Sequence, residues 1–92
     1  MKNVRAQVII QGIVQGVFFR ANTRQEAQAR GVTGWVKNRP DGAVEALFEG
    51  PEDQVQAMVA WCHQGPAYSR VDQVSVSWEE YEGSFSRFSI IR

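Results

Sequence analysis

Gly12-Ile13-Val14-Gln15-Gly16-Val17-Phe18-Phe19-Arg20 joins a run with strand periodicity to a run with helical composition. Glycine reaches positive φ angles at little steric cost, so the pair lets the chain curl and aim several backbone N–H groups into one concavity. A helix starting where such a loop ends adds its positive N-terminal pole. Arg20 adds a planar, permanently charged fork. Together these parts predict a pocket for a phosphate or another small oxyanion.

Upstream, Val4, Ala6, Val8 and Ile10 alternate with Arg5, Gln7 and Gln11, the period of a half-buried strand. Ile9 breaks the polar parity and predicts partial cover on the second face. Downstream, Arg20 to Arg30 is rich in Ala, Gln, Glu and Arg, with Gly31 as its stop and Phe19, Thr23 and Ala27 as inward positions. Thr33 to Asn38 and Ala43 to Glu49 read as two strands hinged on Arg39-Pro40-Asp41-Gly42, with Val44, Ala46 and Phe48 on one face. Gly50-Pro51-Glu52-Asp53 starts a second helix with Pro51 at its first position. Val55, Met58, Val59 and Cys62 form its buried stripe, and Gly65-Pro66 ends it. Val74, Val76 and Trp78 mark a fourth strand, Glu79 to Ser84 a polar turn, and Phe85 to Ile91 a last short strand through Phe88 and Ile90. The string β-α-β-β-α-β plus a terminal strand predicts an α+β fold of ferredoxin-like plan, two helices on one face of an antiparallel sheet.

Composition sets bounds on what this fold does. The chain of 92 residues suits one domain spanning 1–92 that buries roughly 60–65% of its unfolded surface. Net charge is zero, yet residues 1–46 carry seven Lys/Arg and three Asp/Glu, and residues 47–92 carry three and seven. Arg20, Arg24, Lys37 and Arg39 thus accompany the loop, while the neutral total argues against bulk nucleic-acid binding. No apolar run approaches the ~20 residues of a membrane span. Met1-Lys2-Asn3 leads directly into a strand without a signal peptide. Cys62 is alone, so no internal disulfide forms, and a cytoplasmic location is expected.

Other chemistry-bearing residues have plain structural readings. His63 sits near a helix end, where positive charge is favourable. One His beside one Cys builds no zinc site, and no carboxylate cluster has hard-metal spacing. Cys62 reads as a small core hydrophobe. Glu45 and Glu49 share a strand face, which is expected to be solvated. Lys37 is expected to face outward, Trp35 and Trp78 to pack on strands, and Trp61 to be partly exposed.

A second segment, Gly34-Trp35-Val36-Lys37-Asn38-Arg39-Pro40-Asp41-Gly42-Ala43-Val44, joins the first loop in resembling the acylphosphatase family. Both family signatures are present, G-x-V-Q-G-V-x-F-R and G-aromatic-V-K-N-x3-G-x-V. The resemblance extends to the helix at Pro51, to Gly65-Pro66 and to the F-x-I ending at Phe88 and Ile90. It implies hydrolysis of a carboxylic–phosphoric anhydride to a carboxylate and inorganic phosphate, with no metal and no cofactor. It maps the phosphate-binding arginine to Arg20 and the water-positioning asparagine to Asn38. The backbone of Gln15, Gly16, Val17, Phe18, Phe19 and Arg20 becomes the phosphate cradle. It also implies strand order 4-1-3-2 with the short last strand on an edge. Arg30, where related sequences often carry leucine, bears on packing rather than chemistry.

Two other function classes share this plan. A non-catalytic anion-binding module would need neither Arg20 nor Asn38 for turnover, and the chain has both. A single-stranded RNA binder would carry paired aromatics on its central strands, which these strands lack. An acylphosphatase-like segment handling carbamoyl phosphate within a larger protein is a variant of the same reading. The length, start and end of the chain favour a stand-alone monomeric enzyme acting on a small molecule.

Overall fold

The apolar alternation at the start of the chain forms β1 (Asn3–Ile13), with Val4, Ala6, Val8 and Ile10 in the core. The structure is a computed structural model that describes residues 2–92; the leaderless start expected at Met1 lies outside them. There follow α1 (Phe19–Ala29), β2 (Thr33–Asn38), β3 (Val44–Pro51), α2 (Glu52–Gln64), β4 (Arg70–Glu79) and β5 (Phe88–Ile90). The sheet order is β4-β1-β3-β2-β5, which contains the expected 4-1-3-2 with the short strand at the β2 edge.

One expectation needs correction. The pairs β1–β3, β1–β4 and β2–β3 are antiparallel, but β5 runs parallel to β2. The sheet is therefore mixed rather than wholly antiparallel. The route explains it. β4 finishes at the end of the sheet where β2 begins, and residues 80–87 cross there to the far edge. A strand that starts from that end must point the same way as β2. Its anchors are the Gly34 N–H donated to Arg87 O at 3.1 Å and the Ile91 N–H donated to Val36 O at 2.9 Å.

Element boundaries shift by small amounts. Pro51 closes β3 and caps α2 with φ −56° and ψ 138°, one residue before the first helical position expected for it. β4 begins at Arg70 and so extends further upstream than the Val74–Trp78 alternation suggests. Trp78 is 51% exposed on this edge strand, so the packing role expected of it is only partly met.

Both helices lie on one face of the sheet, α1 against β2 and β5, α2 against β1, β3 and β4. Phe19, Thr23 and Ala27 of α1 are buried, as are Val55, Met58 and Cys62 of α2. Phe48 stacks on Phe88 with ring centroids 5.7 Å apart. Phe19 meets Trp61 edge-on at 5.5 Å, so the second helix pins the first residue of α1. Thr23 is buried without penalty because its hydroxyl donates to Phe19 O at 2.7 Å.

The helix-free face differs from the solvated surface expected around Glu45 and Glu49. Glu49 is fully buried, because the crossing segment lies over it. Its Oε2 accepts from Arg5 Nη1 at 3.1 Å and from the Glu82 N–H at 3.0 Å. Arg5 also meets Glu79 at 3.0 Å and Glu82 at 3.3 Å, with its guanidinium 6.0 Å from the Phe85 ring centre. Glu45 belongs to a separate group and accepts from Gln7 at 2.6 Å. The two carboxylates do not work as a pair.

Candidate active site

Gly12 and Gly16 have separate roles. Gly12 lies within β1, where the register against β4 shifts between Gln11 and Gly12. A Cβ at Gly12 would run into the carbonyl of Arg70. This glycine therefore admits β4 rather than shaping the loop. Gly16 has open space around its Cα but φ +75°, so its backbone conformation is what calls for glycine.

Phe18 repeats the left-handed turn without being glycine, at φ 63° and ψ 22°. For an L-residue this costs on the order of 1–2 kcal/mol. Two left-handed residues at 16 and 18 wind the chain into a concave arc that opens onto the start of α1. No side chain caps this helix, and its first turn holds no acidic residue. Among the described residues, no backbone carbonyl accepts from the N–H groups of Gly16, Val17, Phe18 or Phe19. These donors and the helix pole together suit an anion.

A cleft of about 340 Å³ sits at this point, lined by Val14, Gly16, Phe18, Phe19, Arg20, Ala21, Asn38 and Ile90. Ligand pockets span roughly 300–1,000 Å³, so this one suits a small molecule. Arg20 stands in the first turn of α1, where a cation opposes the helix dipole. Of the other basic residues expected beside the loop, Arg24 is exposed on α1, while Lys37 and Arg39 are engaged elsewhere. Lys37 lies 3.9 Å from Glu45 and 5.4 Å from the Trp35 ring centre. Arg39 pairs with Asp41 at 3.0 Å and approaches Glu45 at 3.9 Å. Strand alternation puts Lys37 on the helix-free face and its neighbour Asn38 on the cleft side. Among the described residues Arg20 has no carboxylate partner, and the Asn38 Oδ1 is buried with no hydrogen-bond partner.

Of the six residues expected in the cradle, four line the cleft and two do not. Val17 packs against the core. Gln15 turns its side chain away, and its Nε2 donates to Arg39 O at 2.8 Å and to Ala43 O at 2.9 Å. It thereby ties the loop to the β2–β3 turn, which also carries Asn38 at the end of β2. That turn is braced by the Arg39 N–H donated to Ala43 O at 2.8 Å and the Ala43 N–H donated to Asp41 Oδ1 at 3.0 Å. The Ala43 N–H, with Arg39 beside it, holds the Asp41 carboxyl below its usual pKa. Ile90 and Ala21 were not foreseen as cleft residues. Ile90 reaches it because β5 alternates, with Phe88 and Ile90 on the helix side.

The sequence as a whole agrees with this geometry. The acylphosphatase family model matches residues 6–90. The chain belongs to the acylphosphatase family. An acylphosphatase of Pelotomaculum thermopropionicum is 51% identical over 98% of this chain and 98% of its own. One of Geobacter sulfurreducens is 53% identical over 95% of this chain and 96% of its own. The crystal structure of the Bacillus subtilis acylphosphatase superposes with a TM-score of 0.93 at 42% identity, covering 97% of this chain and 99% of that one. The family's activity, hydrolysis of the carboxyl–phosphate bond of acyl phosphates, is the activity of this chain. The fold is the ferredoxin-like one of the acylphosphatases, and the enzyme is a hydrolase. Among the described residues no helix is long and apolar enough to cross a membrane, and no group of three or more His, Cys, Asp or Glu is placed to hold a metal ion.

Proposed function

We propose that the enzyme binds the phosphate of its substrate in the arc of residues 15–20 and cleaves the anhydride with Arg20 and Asn38, without a metal or cofactor. The observation that carries this is the pairing, in one cleft, of an arginine with no carboxylate partner and a buried Asn38 Oδ1 with no hydrogen bond. Buried polar atoms are rarely left unpaired, so each exception needs an explanation. Here the explanation is a water.

The proposed roles follow from the chemistry. Phosphoryl transfer through a loose transition state needs position and charge stabilisation more than covalent help. The backbone N–H groups and the forked guanidinium supply both to the equatorial oxygens. Asn38 is a neutral amide and no base at neutral pH. Its Oδ1 accepts a hydrogen bond from the attacking water and fixes the line of attack. The water oxygen bonds to phosphorus while the bond from phosphorus to the acyl oxygen breaks. That electron pair leaves on the carboxylate, and the water's proton passes to a phosphate oxygen. A carboxylate is a good enough leaving group to need no general acid.

Within the same proposal, residues 1–92 act as a single domain and a monomer, in the cytoplasm, on a small soluble substrate and without nucleic acid or membrane. Zero net charge and a cleft of small-molecule size support this. The test is hydrolysis of benzoyl phosphate in EDTA and ¹⁸O-labelled water. Metal-independent turnover with the label in phosphate supports attack at phosphorus. Label in benzoate, or binding of phosphate without turnover, overturns the reading, the second outcome in favour of an anion-binding module.

A further inference from the structure

We infer that Phe18, with Ile90 and Ala21, forms an apolar acyl subsite that makes the enzyme favour acyl phosphates with aromatic or bulky apolar acyl groups. This rests on the proposed placement of the phosphate in the loop.

The cleft has two chemically distinct parts. Its polar lining is the Gly16 backbone, Arg20 and Asn38 at the anion end. The remaining walls are Val14, Phe18, Phe19, Ala21 and Ile90. Val14 and Phe19 are each only 1% exposed, so they form the floor and offer a ligand little surface. Phe18 is 75% exposed, Ala21 is exposed and Ile90 half-buried. The apolar surface available to a ligand therefore belongs to these three.

Phe18 is the residue whose presence most needs a reason. It holds a left-handed conformation that glycine or asparagine adopts more readily. It also leaves most of an aromatic ring in water, so core packing does not account for it. With the phosphate at the anion end, the acyl substituent lies against the apolar walls that Phe18 and Ile90 give the same cleft. A large apolar acyl group buries more surface there than acetyl does.

The experiment compares kcat/KM for benzoyl phosphate and acetyl phosphate in the wild type, Phe18→Asn and Ile90→Ala, each checked for folding by circular dichroism. Asparagine tolerates the left-handed backbone, so the cradle keeps its shape. Using the ratio of the two substrates cancels any loss common to both. The benzoyl-to-acetyl ratio is expected to fall about tenfold in Phe18→Asn and by a smaller factor in Ile90→Ala, in line with the weight of apolar contacts in substrate discrimination. A ratio unchanged in both variants, with the wild type active on both substrates, overturns the subsite and leaves the function intact. A wild type that hydrolyses neither substrate overturns the proposed function and the subsite with it.

Discussion

In the proposed mechanism Asn38 and Arg20 act on different parts of one reaction, and the expected losses differ accordingly. Asn38→Ala removes the acceptor that orients water and leaves the loop untouched. It is expected to lower kcat by about a hundredfold to a thousandfold with KM nearly unchanged, the usual cost of one preorganised polar group. On the same proposal Arg20→Ala removes ground-state and transition-state charge together, so kcat/KM is expected to fall further and KM to rise. Arg20→Lys is not expected to restore it, because a point charge replaces a bidentate fork. Steady-state kinetics on benzoyl phosphate read both. That these two residues meet in one cleft was legible in the sequence through the signatures that hold them. The burial of Glu49 was not, because strand parity gives its face but not the distant segment, residues 80–87, that covers it. Ile90 escaped for the same reason, since its cleft position follows from where β5 docks.

At the scale of elements, the cradle is a loop held by its neighbours. The Gln15 side chain bonds the carbonyls of Arg39 and Ala43. Gln15→Ala is expected to cost about 1–2 kcal/mol in urea unfolding, from two lost hydrogen bonds, and to raise KM by letting loop and hairpin drift apart. The crossing segment makes a separate demand. Arg5→Met leaves the Glu49 carboxylate buried beside two other glutamates, and breaking such a buried pair costs about 3–5 kcal/mol. The double variant Arg5→Met/Glu49→Leu is expected to recover most of that stability. Recovery in the double variant separates charge burial from simple loss of packing. The strands and α2 were readable largely from periodicity, α1 from its composition, and the hairpin from its turn residues. The parallel docking of β5 was not, because it depends on which end of the sheet residues 80–87 cross.

For the whole molecule, the core and the site meet at α2, where Trp61 packs on Phe19 and Cys62 lies beneath. Burial pushes the Cys62 thiol up to about 12 from an ordinary 9.0. The unfolded chain ionises this thiol first, so the folded state loses stability as pH rises from 9.0 towards about 12. Below that window the thiol is neutral in both states and contributes nothing to pH dependence. Urea unfolding at pH 8 and pH 11 is expected to show a larger drop for the wild type than for Cys62→Val. An equal drop would place the alkaline sensitivity elsewhere. The proposed mechanism needs both halves of the cleft, the arc of 15–20 for phosphate and the strand end for Asn38. In it, binding and water positioning are separate duties. The most direct measurement is calorimetric titration of inorganic phosphate into the wild type, Arg20→Ala and Asn38→Ala, alongside turnover of benzoyl phosphate by the same preparations. The account predicts that Arg20→Ala loses both phosphate binding and turnover, while Asn38→Ala binds phosphate like the wild type and turns over slowly. An Asn38→Ala enzyme with wild-type turnover, or an Arg20→Ala enzyme that still binds phosphate tightly, would contradict it.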